Sequence, residues 1–231
     1  MEIRKTVVHH VLLFRFDEIP FSLLIQQNHA EKIVALFDFG QIGVTPGEQA
    51  GKPKIVFQIG SLRDEFGEHA ISQLAIEERK ILLEIDGTTD DADRVMSRLK
   101  MHIAELAGRS DSEFLAPIVK AEESEIVARL DFSADKLISP ALLRLVEANT
   151  SRMEYKGLAT ARANLERVSF VVQYLTDDLK LDDHRIALSR KEFMIGPRPG
   201  FPLSEQIYYS KAPVDTMTHR AILEELENSL K

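Results

Sequence analysis

The chain has 231 residues, about one and a half times a typical domain of ~150. Apolar residues make up 44% and charged residues 29%, which excludes a disordered chain and allows a sizeable core. Cysteine is absent, so disulfides, thiolate metal sites and a cysteine nucleophile are excluded, and 29 basic against 37 acidic residues give a net charge of −8 that argues against a coat for nucleic acid.

In chain order, Thr6 to Phe16 is rich in Val, Leu and Phe and reads as a strand. Pro20 opens a short apolar helix over Phe21 to Gln27. Strands are expected near 32–39, 53–60, 68–77 and 79–86, most of them separated by turns bearing Gly or Pro. Thr88 and Thr89 then precede Asp90, Asp91 and Asp93, a hydroxyl cap followed by an acidic first turn. Ala92, Val95, Met96, Leu99, Ile103 and Leu106 mark one face of that helix, and Gly108 ends it. The second half opens with a strand at 124–132 and a helix from Ser139-Pro140 carrying Leu142, Leu143 and Val146. Strands near 155–163, 167–176, 184–195 and 206–212 follow, then a helix after Asp215 with Ile222, Leu223, Leu226 and Leu230 inward.

Three blocks recur in the same order. Arg15-Phe16-Asp17 matches Arg129-Leu130-Asp131 at an offset of 114, each triplet closing an apolar run. Lys54 to Ile59 matches Ser169 to Tyr174 at 115, an offset that also places His69-Ala70-Ile71 on His184-Arg185-Ile186. Val95, Met96, Leu99 and Ile103 fall on Ile222, Leu223, Leu226 and Leu230 at 127. The change from 115 to 127 implies 12 extra residues in the second half, and Ile195 to Pro202 is the place for them. The expected fold is therefore α+β, with two related halves, residues 1–108 and 109–231, each running strand, helix, four strands, helix. Gly108 to Ser112 would be the polar joint between them. This order is similar to the repeat unit of the TATA-binding protein fold, and in outline to helix-grip ligand-binding domains. The resemblance is one of topology, carries no family motif, and brings no functional residue with it.

No phosphate-cradling glycine loop, nucleophile elbow or zinc-protease helix motif occurs. His9 and His10 are adjacent on a strand and point to opposite faces, so they cannot share one metal; one buried imidazole is the expectation. His102 and Glu105 share a helix face and read as a solvated contact. The acidic turn with Asp177, Asp178, Asp182, Asp183 and His184 has the ligand types for a hard cation. It lacks the spacing and glycine of a calcium loop, so it reads as a solvated hairpin turn and no metal or cofactor is assigned.

The segment 195–202 is the most unusual local feature: three Pro and two Gly frame Arg198 and Phe201. Turn chemistry alone accounts for many such connections, but a stiff loop displaying one cation and one aromatic suits partner contact. Arg190 and Lys191 add positive charge on the preceding strand, and together these four residues form the expected partner-binding set. Residues 1–110 carry 13 basic and 17 acidic groups, and 111–231 carry 16 and 20, so each half is −4 and neither is a basic module.

The expected function is non-catalytic binding or assembly through a sheet face or the 195–202 loop, with a protein partner or a second copy. The alternative is a small-molecule binder or enzyme with a pocket between sheet and long helix; a nucleic-acid accessory factor ranks third. A cytoplasmic location is expected, since the N-terminal apolar stretch is too short and interrupted for a signal core and no run approaches a membrane span.

Overall fold

A computed structural model of the chain describes residues 1–47, 52–109, 114–150, 164–172, 180–181, 184–185 and 190–231. The first strand, β1 (Glu2–Leu13), alternates as expected for a sheet packed on one side: Val8, His10 and Leu12 are buried, while Val7, His9 and Val11 are only half-buried. After Pro20 come a short helix α1 (Phe21–Leu24) and a longer one, α2 (Gln27–Phe37). The strand expected at 32–39 is therefore a helix. Ala30, Ile33, Val34 and Phe37 recur at helical spacing, and Ala30, Ile33 and Phe37 are buried on that face, so the period outweighs the β-branched content. The next strand is β2 (Gln41–Pro46), exposed along its whole length, followed by β3 (Pro53–Asp64), β4 (Gly67–Ile76) and β5 (Lys80–Asp86).

Helix α3 (Thr89–Leu106) starts where the cap signal put it. The Thr88 hydroxyl accepts from the Asp91 N–H and the Asp91 carboxylate accepts from the Thr88 N–H, a reciprocal capping box. Gly108, at φ +63, terminates it. The chain then runs through β6 (Val119–Arg129) to α4 (Pro140–Thr150), and after it to β7 (Val168–Val172). A small separate pair, β8 (Lys180–Leu181) and β9 (His184–Arg185), precedes β10 (Lys191–Pro197), β11 (Ile207–Ala212) and α5 (Thr216–Leu230). The strand expected at 155–163 and the joint at 110–112 lie outside the described residues. None of the described helices is long and apolar enough to cross a membrane.

Nine strands form one antiparallel sheet in the order β2-β3-β4-β5-β1-β6-β11-β10-β7. The central pair β1–β6 joins the N-terminal strand to one from the middle of the chain, with His9 opposite Glu123 and His10 opposite Glu122. Helices α2, α3 and α5 pack on the face that carries Val8, His10 and Leu12. The larger core sets Val95, Met96, Leu99 and Ile103 of α3, with Ile33 and Phe37 of α2, against Phe57, Leu74, Ile81, Leu83 and Ile85. A smaller cluster sets Leu223 of α5, flanked by the partly buried Leu226 and Leu230, against Ile126, Ala128, Ile195 and Tyr208. The N-termini of the two long helices meet, with the Thr89 and Thr216 hydroxyls 3.1 Å apart. The opposite face of the sheet carries none of these helices, and the candidate site lies there.

Candidate functional site

The centre of the face opposite α2, α3 and α5 is a ribbon of charged side chains supplied by strands distant in sequence. His9 on β1 faces Glu84 on β5 and Glu123 on β6, and Glu125 on β6 faces Lys211 on β11. Residues two apart on a strand share a face, so Glu123 and Glu125 both join the ribbon. His9 Nε2 donates to Glu125 Oε1 at 3.3 Å, and its Nδ1 lies 3.7 Å from Glu84 Oε2. The Lys211 ammonium bridges Glu123 at 2.7 Å and Glu125 at 3.2 Å, and Lys191 reaches Glu123 at 3.4 Å.

This wiring sets the acidities. Hydrogen bonds from His9, Lys211 and Tyr209 to its carboxylate overcome desolvation and pull Glu125 down to about 2. Burial pushes the Tyr209 phenol up, and the adjacent Glu125 charge pushes it further. Burial alone would lower Lys211, but its bonds to Glu123 and Glu125 raise it instead. A carboxylate near 2 is a poor general base at neutral pH, and an ammonium held by two carboxylates is a poor nucleophile. Glu125 and Lys211 are both held in their charged forms, which suits recognition better than proton transfer. His9, Glu123 and Glu125 have the donor atoms and spacing for a metal, and the Lys211 ammonium sits between the two carboxylates.

On the helix-covered face, His10 lies fully buried, with Asp93 of α3 and Glu122 of β6 near its ring. Elsewhere on that face, His219 of α5 is also fully buried, between Ser124 and Ser210. Ser124 Oγ lies 2.8 Å from Nδ1 and Ser210 Oγ 2.9 Å from Nε2, so one nitrogen donates and the other accepts. Desolvation pulls the His219 ring down to about 4, and it stays neutral. The serine that accepts from the ring also donates to its neighbouring carbonyl, Val214 for Ser124 or Met194 for Ser210, while the other serine gives its single proton to the ring.

The expected partner-binding residues fall at opposite ends of β10. Lys191 begins the strand and enters the charged ribbon through Glu123, next to the exposed Arg190. Arg198 follows its other end, where its N–H donates to the Ile207 carbonyl at 2.8 Å and its guanidinium stacks 5.1 Å from the Phe201 ring centre. Ile195, Gly196 and Pro197 belong to β10 itself, and residues 198–206 connect it to β11. Phe201 is 37% exposed, resting on its own arginine. Asp177, Asp178, Asp182 and Asp183 lie outside the described residues, and of His184 only the strand assignment in β9 is described.

His9 and His10 do point to opposite faces, and His10 is the buried one. The ribbon itself went unread in the sequence, although a signal was present. Glu123 and Glu125 alternate with Ser124, Ile126 and Ala128 in one strand, placing two carboxylates on the face opposite those residues. Set against known proteins, the sequence matches no family model and no curated protein.

Proposed function

We propose that the protein is a non-catalytic binding or assembly protein whose working surface is the sheet face opposite α2, α3 and α5, with the 198–202 turn as a second contact. The observation that carries this reading is the ribbon Glu84–His9–Glu125–Lys211–Glu123–Lys191, a part-buried polar strip with every charge pre-paired and flanked by half-buried Val7 and Val11. Pre-paired charges are already oriented, so a partner meets a fixed pattern and loses less entropy on docking. Three carboxylates at its centre disfavour a phosphate backbone there, which supports a protein partner or a second copy over nucleic acid. The space between α3 and the sheet is filled by apolar side chains, which leaves little support for a ligand pocket in that place.

The same reading takes the chain as two related units, residues 1–108 and 109–231, in the manner of the TATA-binding protein repeat or a helix-grip unit. In its support, β5, β4 and β3 step outward from β1 as β11, β10 and β7 step outward from β6. The paired Thr89 and Thr216 are separated by 127 residues, the offset found between the two helices. A cytoplasmic setting goes with this reading and rests on the sequence alone.

The test is native mass spectrometry of the protein drawn from its own cell, repeated on two variants. Glu84→Arg reverses one charge of the ribbon, and Arg198→Ala with Phe201→Ala strips the turn. The wild-type chain should carry a companion chain or a second copy, which Glu84→Arg loses and the double variant weakens, with melting temperatures nearly unchanged. A monomer without companion, or a complex indifferent to both variants, would overturn the proposal. A tightly held small molecule in place of a chain would favour the ligand-binding alternative.

A further inference from the structure

His10 presents an unusual buried group. Its side chain is 0% exposed and neither ring nitrogen has a hydrogen-bond partner. An unsatisfied buried polar atom costs about 1–3 kcal/mol and calls for an explanation. The ring is aimed at acidic groups: Nδ1 lies 3.7 Å from Asp93 Oδ1, too far for a hydrogen bond, and Glu122 stands directly opposite His10 across the β1–β6 pair. One donor atom from each of these three residues lies within 4.8 Å of the others. The Lys120 ammonium sits against both carboxylates, 2.9 Å from Asp93 and 2.8 Å from Glu122. Lys120, two residues before Glu122, shares its face of the strand.

We infer that His10, Asp93 and Glu122 form a binding site for a divalent transition-metal ion such as Zn(II), with Lys120 as the resident cation that the metal displaces. A tetrahedral zinc with bonds of ~2.0–2.2 Å sets its ligands ~3.4 Å apart, close to the observed 3.7 Å between His10 and Asp93. One imidazole with two carboxylates suits zinc or a similar ion better than magnesium or calcium, which take oxygen ligands. The metal would satisfy one orphaned nitrogen and replace the ammonium as counter-charge to the carboxylates. Burial lowers the pKa of the imidazole, which favours the neutral form that binds metal. The outer edge of the cluster reaches solvent, because the Asp93 and Lys120 side chains are half-exposed. The ribbon around His9 differs: His9 Nε2 is hydrogen-bonded to Glu125, and neither His9 nitrogen is a fully buried atom without a partner.

The test uses the full chain, stripped with a chelator and titrated with Zn(II) by calorimetry, with Co(II) as a spectroscopic probe of nitrogen–oxygen coordination. One equivalent should bind saturably, raise the melting temperature and give visible Co(II) bands. Asp93→Asn and Glu122→Gln should each weaken binding by more than the ~10–100-fold that loss of an outer-shell partner costs. Lys120→Met should strengthen it, because the competing ammonium is gone while its aliphatic stem remains; adventitious surface chelation would not respond in that direction. His9→Gln, on the opposite face, should leave binding unchanged. Absence of saturable binding overturns the site, as does binding that survives both carboxylate variants or is lost in His9→Gln. His10→Gln should abolish the Co(II) bands. Should that variant fail to fold, the two carboxylate variants and Lys120→Met decide the matter alone.

Discussion

Truncating Leu99 to Ala will destabilise the protein by about 2–5 kcal/mol, the cost of removing a fully buried leucine and leaving a cavity that neighbours only partly fill. Leu99 is 0% exposed, in the middle of the α3 face that covers the first half of the sheet. Its surroundings, Val95, Met96 and Ile103 on the helix with sheet residues such as Leu83 and Ile85, are themselves fully or nearly fully buried and have little freedom to collapse inward. The residue at the matching position of α5, Leu226, is only partly buried and borders the smaller cluster. Leu226→Ala should therefore cost less than about 2 kcal/mol. Urea denaturation measures both: a lower midpoint at unchanged slope for Leu99→Ala, with a clearly smaller shift for Leu226→Ala. Equal and small losses would mean that α3 is not anchored through Leu99.

Acidification will weaken the fold before the carboxylates titrate, through His219. Its ordinary value is 6.5 and desolvation holds the folded ring down to about 4. Below pH 6.5 the unfolded chain therefore takes up a proton that the folded chain refuses. The stability that the neutral ring contributes is complete above 6.5, falls as pH drops from there toward 4, and is fully lost below that. At about 1.4 kcal/mol per unit, the whole window is worth about 3 kcal/mol. His10 and His102 are also lowered, by desolvation first, and act in the same direction. Glu125, Asp91, Asp215 and Glu227 are lowered too, but their ordinary values are 3.8 to 4.5, so their loss begins only near the bottom of the window. His219→Gln keeps a donor and an acceptor between Ser124 and Ser210 and removes the titration. Denaturation midpoints at pH 7 and pH 5 should fall less in that variant than in the wild-type chain. An identical fall in both would show that the ring is not held neutral.

Local chemistry was legible wherever a signal is short-range. The cap at Thr88, the acidic first turn, the apolar stripe of α3 and the stop at Gly108 all appear where the residues put them, because a helix is specified within its own few turns. Strands β1, β3, β4, β5 and β11 were readable for a similar reason: β-branched and apolar runs bounded by turn residues. The exception is α2, where Ile33, Val34 and Phe37 resemble a strand in composition, and only their spacing, with Ala30, reveals the buried face.

The sequence by itself determined the α+β class, the two long amphipathic helices and the opposite facing of His9 and His10, all consequences of backbone period and nearest neighbours. Tertiary structure alone decided which strands are neighbours. The pairing of β1 with β6 brings residues more than a hundred positions apart into register, and only that register sets His9 beside Glu123 and His10 beside Glu122. It also decided which charges work together: Lys211 and Lys191 meet Glu123 because β11 and β10 stack outward from β6. No periodicity within one segment encodes such a contact, since a charged residue on a strand looks the same whether it faces water or a partner across the sheet. The burial of His10 and His219 was settled in the same way, by which helix closes over which strand, and that choice belongs to the packing of the whole sheet.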